Sequence, residues 1–179
     1  KNLGRIHDFE GFCQVYREAV EAGFTNINVD IMSGLPGQTL ASYRDTLEKV
    51  LHLEPMPQHI SAYSLIVEEG TPFAAMAERG ELPLPEEETE RAMYEETIEV
   101  LAKYGFHRYE ISNYAKAGCE CRHNEGYWQR KDYLGLGLGA ASLLGKERFS
   151  NTSDMQEYLK NSSAPEKIRK NRELLTRED

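Results

Sequence analysis

The sequence predicts an α/β fold with parallel strands, and three observations carry that expectation. Over roughly the first third of the chain, helical and alternating patterns follow one another as helix, strand, helix, strand. A strand that returns through a helix must run parallel to its predecessor. Glycine and proline fall at the joints, at Gly23, at Gly34-x-Pro36-Gly37 and at Pro55-x-Pro57.

The elements follow in order. Asp8 is placed to cap a helix running to about Ala22, with Phe9, Phe12, Cys13, Tyr16, Ala19 and Val20 on one face and Gly23 as its stop. From Asn26 to Met32 the residues alternate, with Ile27, Val29 and Ile31 on one side and Asn26, Asn28 and Asp30 on the other. Amides and a carboxylate stranded against a helix would carry a large desolvation cost. That face therefore lines a polar cavity, as inside an incomplete or wide barrel, or it is the wet face of an edge strand. A second helix is expected over about 41–53, with Tyr43, Leu47, Val50 and Leu51 inward, and a second strand over His59–Val67. A loop-rich connection follows, then a long helix over about Pro85–Tyr104 with Met93, Tyr94, Ile98, Leu101 and Ala102 as its stripe. Its acidic start suits the positive end of the helix dipole. Phe106–Gly118 reads as a short strand and turn, and Asp132–Asn151 as two strands around glycines. The tail from Thr152 reads as helix.

Composition narrows the function classes. The 179 residues carry a net charge of -9, which argues against a nucleic-acid footprint. No apolar run reaches the roughly 20 residues of a membrane span. The three cysteines, Cys13, Cys119 and Cys121, form neither a disulfide framework nor a Cys-x-x-Cys zinc pattern, so a reducing, cytoplasmic setting is expected. The chain opens without methionine and stops in RKNRELLTRED, read as a charged helix, so a piece of a longer protein is expected.

Four stretches invite chemistry. In DIMSGLPGQT, Asp30 lies near the end of a strand, at the edge where β/α folds bind ligands. Its carboxylate suits ribose hydroxyls or an ammonium, and Gln38 suits loop orientation; capping or loop bracing would use the same residues. GLGLGA lacks the spacing of a dinucleotide fingerprint and suits close backbone approach instead. Glu110, in YEISNY, stands among apolar residues, either with a raised pKa or in an ion pair. In CRHNEGYW, His123 and Tyr127 share one helical face, as do Asn124 and Trp128. Such a set can meet a metal or a flat ring, while composition by itself favours the tryptophan as a core anchor.

Taken in order, LGRIH, INVDIMSGLPGQT, HISAYSL-x-x-E-x-GT, YEISNYA, CRHNEGYW and YLGLGLGA-x-S resemble the oxygen-independent coproporphyrinogen III oxidase-like proteins of the radical S-adenosylmethionine (SAM) superfamily. The resemblance covers nearly the whole chain. It implies the C-terminal part of a partial (β/α)6 barrel, holding its last two parallel strands, in residues 1–68. It further implies a family-specific α+β extension over 69–151 and the helical start of a C-terminal domain over 152–179. The His-Asn-x-x-Tyr-Trp pattern, His123, Asn124, Tyr127 and Trp128, is similar to the signature of the family's haem-chaperone branch. The other branch is the true oxidase, which decarboxylates two propionates by SAM-dependent radical chemistry to give protoporphyrinogen.

What the resemblance implies for cofactors is SAM, a 4Fe-4S cluster and haem. The cluster's Cys-x-x-x-Cys-x-x-Cys motif is absent from this sequence, so no cluster ligand is expected here. Carried over position by position, Arg5, Asp30 and Ile66 would contact SAM, and His123, Asn124, Tyr127 and Trp128 would contact haem. His123 is the candidate for the haem iron, and no catalytic residue is assigned. The implied partners are haem or a porphyrin and a haem-accepting protein. By itself this stretch is expected to be inactive, and to self-associate because part of a barrel exposes core surface.

Overall fold

A computed structural model describes residues 8–176, which divide at Cys121 into two compact units.

The first unit opens with α1 (Phe9–Glu21). Asp8 caps it by accepting a hydrogen bond from the Gly11 N–H at 3.0 Å, and Gly23 follows with φ 93°, the left-handed conformation that ends a helix. Strand β1 (Asn28–Ser33) buries Val29, Ile31 and Ser33 and exposes Asn28 and Asp30, as the alternation requires. Helix α2 (Leu40–Leu51) begins with a capping box between Thr39 and Ser42 and buries the expected Tyr43, Leu47, Val50 and Leu51. Strand β2 (His59–Ser64) then pairs parallel to β1, with Asn28 opposite His59 and Asp30 opposite Ser61. It stops at Ser64, short of the expected Val67.

The connection read as loop contains a short helix, α3 (Pro72–Glu78), capped by Thr71 and opened by Pro72. It buries nothing, so no apolar stripe announces it. Helix α4 (Glu87–Lys103) buries Met93, Thr97, Val100 and Leu101. Tyr94, expected in that stripe, is instead 43% exposed, with the Arg108 guanidinium 5.6 Å from its ring centre. The inward face is set by contact with α2, which admits Thr97 because its hydroxyl is satisfied. Thr97 donates to the Met93 carbonyl at 2.7 Å, so the Tyr43 hydroxyl, 2.6 Å away, donates to Thr97. Strands β3 (His107–Arg108) and β4 (Asn113–Ala115) form a hairpin whose second strand pairs antiparallel to β2. The sheet order is β1-β2-β4-β3. Its core joins Val29, Ile31 and Ile60 to the inner faces of α1, α2 and α4.

The second unit starts with α5 (Arg122–Trp128). Strands β5 (Ala141–Leu144) and β6 (Glu147–Asn151) form a hairpin. The glycines precede these strands rather than lying within them. A Cβ on Gly135 would fall 2.1 Å from the Ala141 carbonyl oxygen, so close backbone approach demands glycine there. Helices α6 (Met155–Asn161) and α7 (Pro165–Ile168) follow.

The tail expected as helix then becomes a strand, β7 (Arg169–Leu174), antiparallel to β6 in the order β5-β6-β7. Cross-strand pairing decides this. Arg172 meets Glu147, Arg148 meets Glu173, and the Arg169 guanidinium covers the Phe149 ring at 4.3 Å. Asn171, at φ 48°, sits beside a register shift.

Candidate functional site

The first candidate site is the polar face of the parallel pair. Parallel register sets Asn28 beside His59 and Asp30 beside Ser61, and the β3–β4 hairpin brings in Tyr109, Glu110 and Asn113. The Asn28 side-chain N–H donates to Asp30 Oδ1 at 2.6 Å, which turns its amide oxygen toward His59. That oxygen accepts from His59 Nδ1–H at 2.6 Å, so Nε2 accepts from the Tyr109 hydroxyl at 2.7 Å. Ser61 donates to Asn113 Oδ1 at 2.6 Å, and the Asn113 amide donates to Glu110. Burial pushes the His59 pKa below its ordinary 6.5 against the opposing pull of Asp30, Glu110 and Glu120, favouring the neutral ring.

Asp30 thus holds one oxygen in this network and presents an exposed side chain. Ile66 lies beyond the end of β2 and is 74% exposed. Arg5 lies outside the described residues. Gln38 braces the loop after β1, accepting from the Leu35 N–H at 3.1 Å and donating to the Met32 carbonyl at 3.3 Å. Glu110 accepts from the Ser112 N–H at 2.8 Å and the Asn113 amide. Among the described residues it forms no ion pair.

His59, Tyr109, Ser61 and Asn113 are not legible as site residues from composition. One signal was present: continuing the alternation of β1 into a parallel neighbour places His59 and Ser61 on the polar face.

The second candidate site is α5. His123 and Tyr127 stack edge-on with ring centres 4.5 Å apart, and Tyr127 meets Tyr133 in the same way at 4.6 Å. The shared helical face predicted for His123 and Tyr127 is therefore present. Trp128 is 59% exposed, which overturns the core-anchor reading. Asn124 sits one turn before it and is half-buried. Beside His123 is a pocket of ≈ 170 Å³ lined by Arg122, His123, Gly126, Tyr127, Lys131, Asp132 and Tyr133. Pockets that enclose a small ligand measure about 300–1,000 Å³. This pocket is smaller than that range.

Among the described residues no three His, Cys, Asp or Glu side chains gather as a metal site, and no disulfide joins the cysteines. No helix among these residues is long and apolar enough to cross a membrane.

No protein-family model matches the chain. It is 40% identical to the haem chaperone HemW of Bacillus subtilis (strain 168), over 89% of this chain and 41% of that protein. It is 38% identical to HemW of Lactococcus lactis subsp. lactis (strain IL1403), over 99% of this chain and 46% of that protein. The chain thus spans less than half the length of these relatives. Its fold matches the Escherichia coli coproporphyrinogen III oxidase HemN, described as a radical SAM enzyme. The TM-score is 0.75 and the identity 23%, over 97% of this chain and 42% of that one. Along most of its length the chain is thus similar to proteins named as haem chaperones, and its fold is similar to that of HemN.

Proposed function

We propose that the chain serves in a haem chaperone, which binds haem and passes it to an accepting protein. The observation that carries this reading is α5, where His123 and Tyr127 form an exposed edge-stacked pair and Trp128 stands in solvent. Exposed aromatics beside an imidazole offer a flat cargo stacking surface and an axial nitrogen. An open surface also favours transfer, because a partner can approach the cargo without the protein unfolding around it.

In the same reading Asp30 receives the ribose hydroxyls or the ammonium of SAM, and Arg5 and Ile66 line that site. Bound SAM and a reduced 4Fe-4S cluster would supply radical chemistry; the cluster ligands come from outside this chain. The residues here bind and orient. The division of the chain at residues 68 and 151 into barrel, extension and C-terminal segment belongs to this reading.

The test is a haem titration of the protein that carries this chain. Wild type is expected to give a Soret shift that changes in His123→Ala. Identical spectra and affinity in that variant would remove His123 from the haem site. Robust protoporphyrinogen formation under anaerobic conditions would replace the chaperone reading with the oxidase.

A further inference from the structure

The polar face of the sheet holds a chain of hydrogen bonds in which every donor is fixed. The Tyr109 hydroxyl donates to His59 Nε2, His59 Nδ1–H donates to Asn28 Oδ1, and the Asn28 amide donates to Asp30 Oδ1. The four residues come from β1, β2 and the turn of the β3–β4 hairpin. His59 is 5% exposed, so its ring is held by packing as well as by two partners. Asp30, at the other end, is exposed, and its Oδ2 makes no hydrogen bond among the described residues.

We propose that Tyr109, His59 and Asn28 are positioning residues that hold the Asp30 carboxylate with Oδ2 presented to the hydroxyls or ammonium of a ligand. The physical reason is pre-organisation. An exposed aspartate on a strand samples a broad range of side-chain torsions, and ordering it on binding costs affinity. A donor fixed on one carboxylate oxygen removes that cost beforehand, and a buried partner keeps the donor itself from rotating. The direction of donation matters. Only the neutral Nδ1–H ring gives Asn28 a donor while still accepting from Tyr109, and the burial that disfavours a charged imidazole favours that form. The chain rests on the reading of Asp30 as a SAM contact, and the experiment separates the two.

SAM affinity is measured by calorimetry on the cluster-loaded protein that carries this chain. Asp30→Asn is expected to bind SAM at least tenfold more weakly; a normal affinity there would overturn both the SAM reading and the chain. Asn28→Ala is expected to lose about tenfold and Tyr109→Phe about threefold, the effect fading with distance along the chain. If Asp30→Asn weakens binding while Asn28→Ala and Tyr109→Phe bind as wild type does, the chain is wrong and the SAM reading stands. A readout independent of any variant is the nitrogen-15 spectrum of the His59 ring. The Nδ1–H tautomer is expected in wild type, drifting toward a tautomer mixture in Tyr109→Phe; an Nε2–H ring in wild type would overturn the proposal.

Discussion

His59 and His123 are the same side chain in opposite situations. His59 is buried in the first unit, both ring nitrogens occupied, its neutral form favoured by burial. His123 stands on the surface of a seven-residue helix, its ring against the edge of one tyrosine. A buried imidazole with two partners is part of a scaffold, because removing it takes a hydrogen bond from each of them. An exposed one with room around it is free to engage something that comes and goes. The two regions thus differ in whether packing or solvent surrounds the ring.

The largest test of this contrast is deletion of the buried ring. His59→Ala removes one hydrogen bond each from the Asn28 oxygen and the Tyr109 hydroxyl and opens a hole beside β2, so it is expected to cost about 1–3 kcal/mol in denaturant unfolding. A loss below about 0.5 kcal/mol would place the network outside the scaffold.

The next effect is a pH slope. Because the folded pKa of His59 lies below 6.5, the unfolded chain takes up a proton that the folded state refuses between those two values. The stability that His59 contributes is therefore complete above 6.5 and is lost as pH falls toward the folded pKa. Asn28 and Tyr109 face the ring directly, and the charges of Asp30, Glu110 and Glu120 limit the shift. The expected slope is at most about 1.4 kcal/mol per pH unit, and His59→Gln should flatten it. An unchanged slope in that variant would assign the acid sensitivity to another group.

The smallest expected effect closes the comparison. His123→Ala should change stability by no more than about 0.5 kcal/mol, since an exposed ring on a short surface helix leaves no cavity. A cost comparable to that of His59→Ala, measured in the same melts, would mean that His123 holds its unit together.

Much of the first unit was legible in the sequence because its signals are local. Asp8 as a cap, the alternation of β1 and the stripe of α2 each depend on neighbours within a turn or a few residues. The misreadings share one cause, which is that distant partners outvote local pattern. Arg169–Leu174 has the charge spacing of a helix, yet β6 supplies backbone and ion-pair partners about twenty-five residues away. Tyr94 has the spacing of the α4 stripe, yet the face that α2 covers lies nearer Thr97. Trp128 has the composition of an anchor, yet no core forms around it. At the candidate site, Asp30 and the aromatic face of α5 were visible as motifs. The chain that fixes Asp30 was not, because His59 and Tyr109 are separated by fifty residues and meet only through strand register.

The sequence by itself determined the parallel β/α unit, the polar face of its first strand and the motifs shared with its relatives. Periodicity, caps and long motifs are properties of the chain before it folds. Tertiary structure alone decided which groups share a proton network and which stand in solvent. Hydrogen-bond direction and burial depend on atoms brought together from far along the chain, so His59 became part of a buried network and His123 was left in solvent.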